Sequence, residues 1–217
     1  MKLNPFERWA VNSPLRKAAQ LLVMQWFRST VALKTGKTIL EVGCGRGVGA
    51  KLISEAYHPD RLYLLDLDLQ MIQKANQRIN GQDEKRISLC VGDAVRLPFG
   101  NDSLDAVFGF GVLHHVPEWQ SGLAEVNRVL KHGGIYFMEE YYPSFYQNII
   151  TKHVLAHPDS DRFNSQELLQ AFQDANLSLT HTFELKRMGI LGVGVKAAAE
   201  SIICKLNQRP ACQVVLD

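Results

Sequence analysis

Along the chain, short apolar runs alternate with stretches whose apolar positions recur three or four residues apart. The first such stretch opens at Ser13-Pro14, a pairing suited to an N-cap and first helical position, and continues through Leu15, Ala18, Ala19, Leu22 and Trp26. It predicts a helix over residues 14–33. Thr38-Ile39-Leu40-Glu41-Val42 is a β-rich run stopped by glycines, and helical character resumes at Ala50-Lys51-Leu52-Ile53. The unit recurs as a strand over 62–65 and a helix over 69–79, closed by Asn80-Gly81. Strands are predicted over 86–91 and 104–110, a helix over 119–130, and a fifth strand over 134–139 entered through Gly133. A helix over 164–175 and strands over 177–185 and 190–195 complete the series.

Strands alternating with helices predict a parallel sheet covered on both faces, because each parallel crossover needs a returning helix. The expected class is therefore α/β, doubly wound, with a mostly parallel seven-stranded sheet, an extra N-terminal helix and a final antiparallel pair at one edge. Residues 141–161 are too long for an ordinary connection and hold three Tyr, one Phe, two His, Pro143 and Pro158, a pattern expected of a functional or mobile loop. Beyond Leu206 the periodicity fades around Pro210, and little order is expected there.

Composition narrows the class without changing it. At 217 residues, 46% hydrophobic and 21% charged, the chain suits one folded domain. The 24 Lys plus Arg and 22 Asp plus Glu are scattered and give a formal charge of +2, so no nucleic-acid partner is expected. Cys44, Cys90, Cys204 and Cys212 lack the paired spacing of a zinc site, and no metal is expected; reduced thiols in a cytoplasm are the simpler reading. The start Met1-Lys2-Leu3-Asn4-Pro5 does not read as a signal peptide. The apolar stretch over 18–27 is broken by Gln20 and Gln25 and is shorter than the about 20 residues that span a bilayer.

The chemistry concentrates at strand ends. Glu41-Val42-Gly43-Cys44-Gly45-Arg46-Gly47-Val48-Gly49 lies between a strand and a helix, where glycines at 43, 45 and 47 permit a tight turn and close approach of a ligand to the backbone. A dinucleotide fingerprint would need glycine at position 48, which is Val48. The next strand ends in Asp66-Leu67-Asp68, offering a carboxylate to a ribose diol, with Asp68 a rival for that contact or a cap for the following helix. The third ends in Gly92-Asp93-Ala94, where an adenine edge can be read.

With these blocks in this order, and with 105–116 followed by Leu130-Lys131-His132-Gly133-Gly134, the stretch 38–140 resembles the class I S-adenosylmethionine-dependent methyltransferases. Within that class it is most similar to the subgroup containing ubiquinone, menaquinone and many small-molecule methyltransferases. The resemblance implies a Rossmann-like methyltransferase fold and S-adenosylmethionine as cofactor. It implies that Gly43, Gly45 and Gly47 flank the methionine part, that Glu41 faces its amino-acid end, and that Asp66 holds the ribose hydroxyls. Asp93 and Ala94 would contact adenine, Leu67 and Met71 would pack on its ring, and Phe110 and Gly111 would lie near the reactive methyl. Residues 36–140 become the cofactor half of a single domain, 1–35 a helical cap, 141–200 the substrate side and 201–217 a tail.

In-line methyl transfer asks mainly for alignment and exclusion of water. The candidates for proton transfer, His114, His115 and Tyr141, therefore stand beside a structural reading in which the histidines only shape their loop. Trp9, Trp26, Phe27, Tyr141, Tyr142, Phe145 and Tyr146 suggest an apolar or aromatic small-molecule acceptor, while Arg16, Lys17 and Arg28 beside the apolar helix suit a membrane surface and a lipid. Two other readings stay open: a nicotinamide-dependent oxidoreductase, disfavoured by Val48, and a non-catalytic protein that keeps the cofactor pocket.

Overall fold

The computed structural model describes residues 14–79, 86–146 and 163–197. In chain order these form α1 (Pro14–Thr30), β1 (Thr38–Val42), α2 (Val48–Tyr57), β2 (Arg61–Asp66), α3 (Leu69–Ile79) and β3 (Ile87–Val91). Then come β4 (Leu104–Phe110), a 3-10 turn (Leu113–His115), α4 (Trp119–Val129), β5 (Leu130–Tyr141), the short α5 (Pro143–Tyr146), α6 (Ser165–Asp174), β6 (Leu177–Leu185) and β7 (Gly189–Lys196). The proposed caps at Ser13 and Asn80-Gly81, together with Trp9, most of the 141–161 loop and the tail, lie outside the described residues.

The seven strands form one sheet in the order β3-β2-β1-β4-β5-β7-β6. The first five run parallel, and β7 enters antiparallel between β5 and β6, as the doubly wound reading expects. Chain order reverses on either side of β1, which opens a crevice above the carboxyl ends of β1 and β4.

Alternating side chains send the strands' apolar residues to both faces, so β1 has no solvent-facing side. Ile39, with Leu62, Leu64, Phe108 and Phe137, packs under Val23, Met24 and Phe27 of α1, Ile53 of α2 and Ile72 of α3. Leu40 and Val42 face the other way, with Val107, Tyr136 and Met138, against Leu123 and Val126 of α4 and Phe172 of α6. Phe27 lies 5.1 Å from Phe137 and 6.2 Å from Phe108, which fixes α1 over the middle of the sheet. Truncating Phe137, fully buried, to alanine is expected to cost about 3–5 kcal/mol.

Local signals set the ends. Asn164 and Glu167 close a reciprocal capping box on α6 through bonds of 3.0 and 2.9 Å. The loop after β3 is held by Glu125, which accepts from Leu97 N–H at 2.8 Å, and by Arg128, which donates to the carbonyls of Leu97 and Phe99.

Two boundaries differ by more than two residues from the sequence reading. Helix α1 stops at Thr30, whose hydroxyl donates to Trp26 O at 2.7 Å, so residues 31–33 continue outside it. Strand β5 begins at Leu130 instead of Gly134: Leu130 pairs with Leu104, and the register then shifts before Ile135 meets Ala106. The Lys131-His132-Gly133-Gly134 run is thus an irregularity within a strand, with Gly133 at φ +75°, rather than a turn before it.

Candidate functional site

A cavity of about 370 Å³ occupies the crevice above β1 and β4. Its floor is the glycine turn. Gly43, Gly45 and Gly47 all adopt left-handed backbone, at φ +66°, +53° and +72°, a conformation that explains three glycines better than composition does. They face different surroundings. A Cβ on Gly43 would meet Val112 Cγ2 at 2.7 Å, whereas one on Gly45 would meet nothing within 4 Å, because Gly45 opens onto the cavity. Gly47 does not line this cavity; it packs against Ala75 of α3 and starts α2, borders a separate surface hollow with Lys51 and Ser54, and takes part through turn geometry.

The turn is tied to the neighbouring strand ends. Cys44 N–H donates to Leu65 O at 3.0 Å, Gly92 N–H donates to Asp66 O at 3.1 Å, and Gly45 N–H donates to Asp66 Oδ2 at 2.9 Å. Asp66 Oδ1 also accepts from Asp68 N–H at 2.8 Å. Each Asp66 oxygen thus holds one backbone donor, and the residue lines the cavity. Burial raises the Asp66 pKa, opposed by these two amides. Asp68 Oδ1 accepts from Gln70 N–H at 3.0 Å as the N-cap of α3, although Asp68 also borders the cavity.

Glu41 is a buried carboxyl with one uncompensated oxygen. It is 2% exposed, and its Oε2 is buried without a hydrogen-bond partner. Its Oε1 occupies the space that a side chain at position 49 would need, so Gly49 is glycine because a carboxylate lies over its Cα. Burial, aided by the Asp66 charge, pushes the Glu41 carboxyl up to about 8. Beside it, burial raises the Cys44 thiol well above its ordinary range, so that cysteine is an inert wall.

Leu67, Met71, Asp93, Ala94, Phe110 and Gly111 also line the cavity. Met71 is buried and Leu67 is 42% exposed. Asp93 spends Oδ1 on Val95 N–H at 3.1 Å, which shapes the turn after β3.

The opposite wall is the segment after β4, and Glu140 organises it. Its buried carboxylate accepts from Val112 N–H at 3.0 Å, Leu113 N–H at 2.8 Å and His114 N–H at 3.3 Å, and lies 2.7 Å from His114 Nδ1. His114 is therefore committed to Glu140, which supports its structural reading, whereas His115 lines the cavity. Tyr141, the third candidate for proton transfer, does not line it; its hydroxyl donates to Glu139 Oε1 at 2.7 Å. Burial raises its pKa, as does the Glu139 charge, so it stays a donor.

Arg16 is the site residue that sequence reasoning missed. Instead of facing outward beside an apolar helix, it turns in and makes a bidentate pair with Glu139, at 2.8 and 2.6 Å, with its guanidinium 5.7 Å from the Tyr141 ring centre. Through it α1 reaches the cavity, together with buried Gln20. The pairing spans 123 positions, and no local pattern signals it.

A family model described as a methyltransferase domain matches residues 40–138. Over 103 residues the chain is 42% identical to a phthiotriol/phenolphthiotriol dimycocerosates methyltransferase of Mycobacterium leprae, covering 46% of this chain and 36% of that one. It is 35% identical over 105 residues to a demethylmenaquinone methyltransferase of Geobacillus stearothermophilus, covering 48% and 44%. The chain thus spans less than half the length of these curated relatives. In fold it is similar to a solved SAM-dependent methyltransferase from Aquifex aeolicus, with a TM-score of 0.70, 18% identity, and coverage of 90% of this chain and 100% of that one.

Proposed function

We propose that this chain, whose residues 40–138 match a methyltransferase domain, is of the class I type and carries a methyl group from S-adenosylmethionine to an apolar small-molecule or lipid acceptor. The observation that carries the reading is a buried, unpartnered Glu41 oxygen in the same cavity as the open space over Gly45. A folded chain rarely leaves a buried carboxylate oxygen unsatisfied unless a ligand completes it. A cation is the complement that a carboxylate seeks, and the amino-acid end of S-adenosylmethionine carries an ammonium. The residues present fit the cofactor.

Bound there, S-adenosylmethionine would supply a methyl carbon on a positively charged sulfur, open to in-line attack. The chain's own contribution is to orient and to exclude water. Glu41 would accept from the ammonium, Asp66 would offer its remaining lone pairs to the ribose hydroxyls, Asp93 with Ala94 would read the adenine edge, and Leu67 and Met71 would pack on its ring. Phe110 and Gly111 border the space where the acceptor meets the cofactor. Arg16, Glu139 and Tyr141, with the segment fixed by Glu140, close the acceptor side. Residues 36–140 then hold the cofactor, and those on either side shape acceptor access within one domain. His115, which lines the cavity, would take a proton where the acceptor brings one.

Phe110 on the cavity wall, and the dimycocerosate and demethylmenaquinone named for the relatives, support an apolar acceptor. Among the described residues no helix is long and apolar enough to cross a membrane, and we take the compartment to be the cytoplasm. The test is incubation with cofactor labelled in its methyl group, together with a lipid extract, a mixture of water-soluble metabolites, or nucleic acid. Label entering organic-soluble or small aromatic products is expected. Label entering only nucleic acid or protein would contradict the acceptor class.

A further inference from the structure

The β6–β7 hairpin carries its turn, Lys186-Arg187-Met188, to the same edge of the sheet as the cavity, because β6 runs with β5 and Gly189 pairs with Tyr141. There it is fastened to α5. Tyr142 N–H donates to Met188 O at 3.0 Å, and the Ser144 hydroxyl donates to Arg187 O at 2.8 Å. Hairpin tip and α5 thus make one rim. That rim shows large apolar side chains to solvent: Phe145 is 44% exposed, Leu185 49% and Met188 46%. Phe183, also 49% exposed, shares the strand face of Leu185.

Single exposed apolar residues need no explanation, but a group of them beside a cavity mouth marks an interaction surface. Lys186 and Arg187 stand exposed between Leu185 and Met188, and neither forms an ion pair among the described residues. The neighbouring carboxylate, Glu184, accepts from the Tyr142 hydroxyl at 2.9 Å. The rim is continuous with the site: Phe145 stacks on Tyr141 at 5.5 Å, Tyr141 lies under Arg16, and Arg16 lines the cavity.

We propose that this rim docks on an anionic lipid surface, its apolar tips entering the headgroup layer and Lys186 with Arg187 facing lipid phosphates. Apolar residues flanked by cations are the combination that such a surface selects. A second copy of the chain suits the rim poorly, because a two-fold contact would set its cations against their own copies. Docking here turns the Arg16–Tyr141 wall toward the bilayer, so an apolar acceptor reaches the cavity without crossing water. The inference rests on the lipid-acceptor reading above.

The experiment is co-sedimentation of the full chain with vesicles of mixed phosphatidylglycerol and phosphatidylcholine, against vesicles of phosphatidylcholine alone. Preferential binding to the anionic vesicles, weakened by added salt, is expected. The Lys186→Gln/Arg187→Gln variant should bind about 30-fold more weakly, since each basic residue near such a surface contributes about fivefold. Met188→Ser should weaken binding further, with calorimetric affinity for S-adenosylhomocysteine unchanged in both variants. Equal binding to the two vesicle types, or full binding by the double variant, would overturn the proposal. So would self-association, seen by sedimentation velocity, that the same variant abolishes. A chain that binds anionic vesicles but not S-adenosylhomocysteine would keep the rim and remove the methyl-transfer reading, so the two fail separately.

Discussion

Glu41 should couple cofactor binding to release of a proton. Its carboxyl, held at about 8 by burial against an ordinary 4.5, is about nine-tenths protonated at pH 7. A ligand ammonium placed against the orphaned Oε2 favours the charged form, so binding should expel close to one proton per site. Below the raised pKa, affinity should then climb nearly tenfold per pH unit, and it should level off above about pH 8. The free protein should show the opposite trend. A carboxyl whose folded pKa is raised leaves the unfolded state with fewer bound protons than the native state between about 4.5 and 8, so stability falls through that window at about 1.4 kcal/mol per pH unit. Calorimetric titration with S-adenosylhomocysteine in phosphate and in Tris, whose ionisation heats differ widely, counts the proton. Glu41→Gln should abolish the count and flatten the pH dependence of both affinity and unfolding. Heats that do not depend on buffer in the unaltered chain would refute the reasoning.

Gly45→Val should lose at least tenfold in affinity for S-adenosylhomocysteine, because its side chain projects into the cavity from a left-handed backbone; Gly47→Ala, strained against Ala75, should lower the melting temperature and keep the affinity. Asp66→Ala should weaken binding by about 1–3 kcal/mol in calorimetry, while Asp68→Ala should lower stability by about 1 kcal/mol through loss of the α3 cap and leave affinity within twofold. Arg16→Ala should cost about 3–5 kcal/mol in urea unfolding by stranding the buried Glu139, and adding Glu139→Ala should recover part of the loss.

What could be read from the sequence was what local chemistry decides. Strands β4 and β6 and helix α3 match their predicted bounds because glycines, caps and apolar periodicity lie within each element. The strand-end positions of Glu41, Asp66 and Asp93 follow from the fold class, and the structure brings them to one cavity. Less legible was whatever depended on partners far along the chain. The start of β5 hides behind a glycine pair that resembles a turn, and only pairing with Leu104 reveals it. Arg16 looks like an outward cation until Glu139 is placed opposite, and the His114-His115 pair stands between a structural and a catalytic reading until Glu140 claims one ring. Gly47 shows the limit of motif reading: it shares a left-handed backbone with Gly45 but faces Ala75 instead of the cavity.

The central claim is that the cavity above β1 and β4 takes S-adenosylmethionine, and the most direct test is calorimetric titration of the full chain with S-adenosylhomocysteine beside a parallel titration with NAD. Saturable binding at one site per chain by S-adenosylhomocysteine alone is predicted. Binding of NAD with no response to S-adenosylhomocysteine would contradict the account and turn the same strand ends toward redox chemistry.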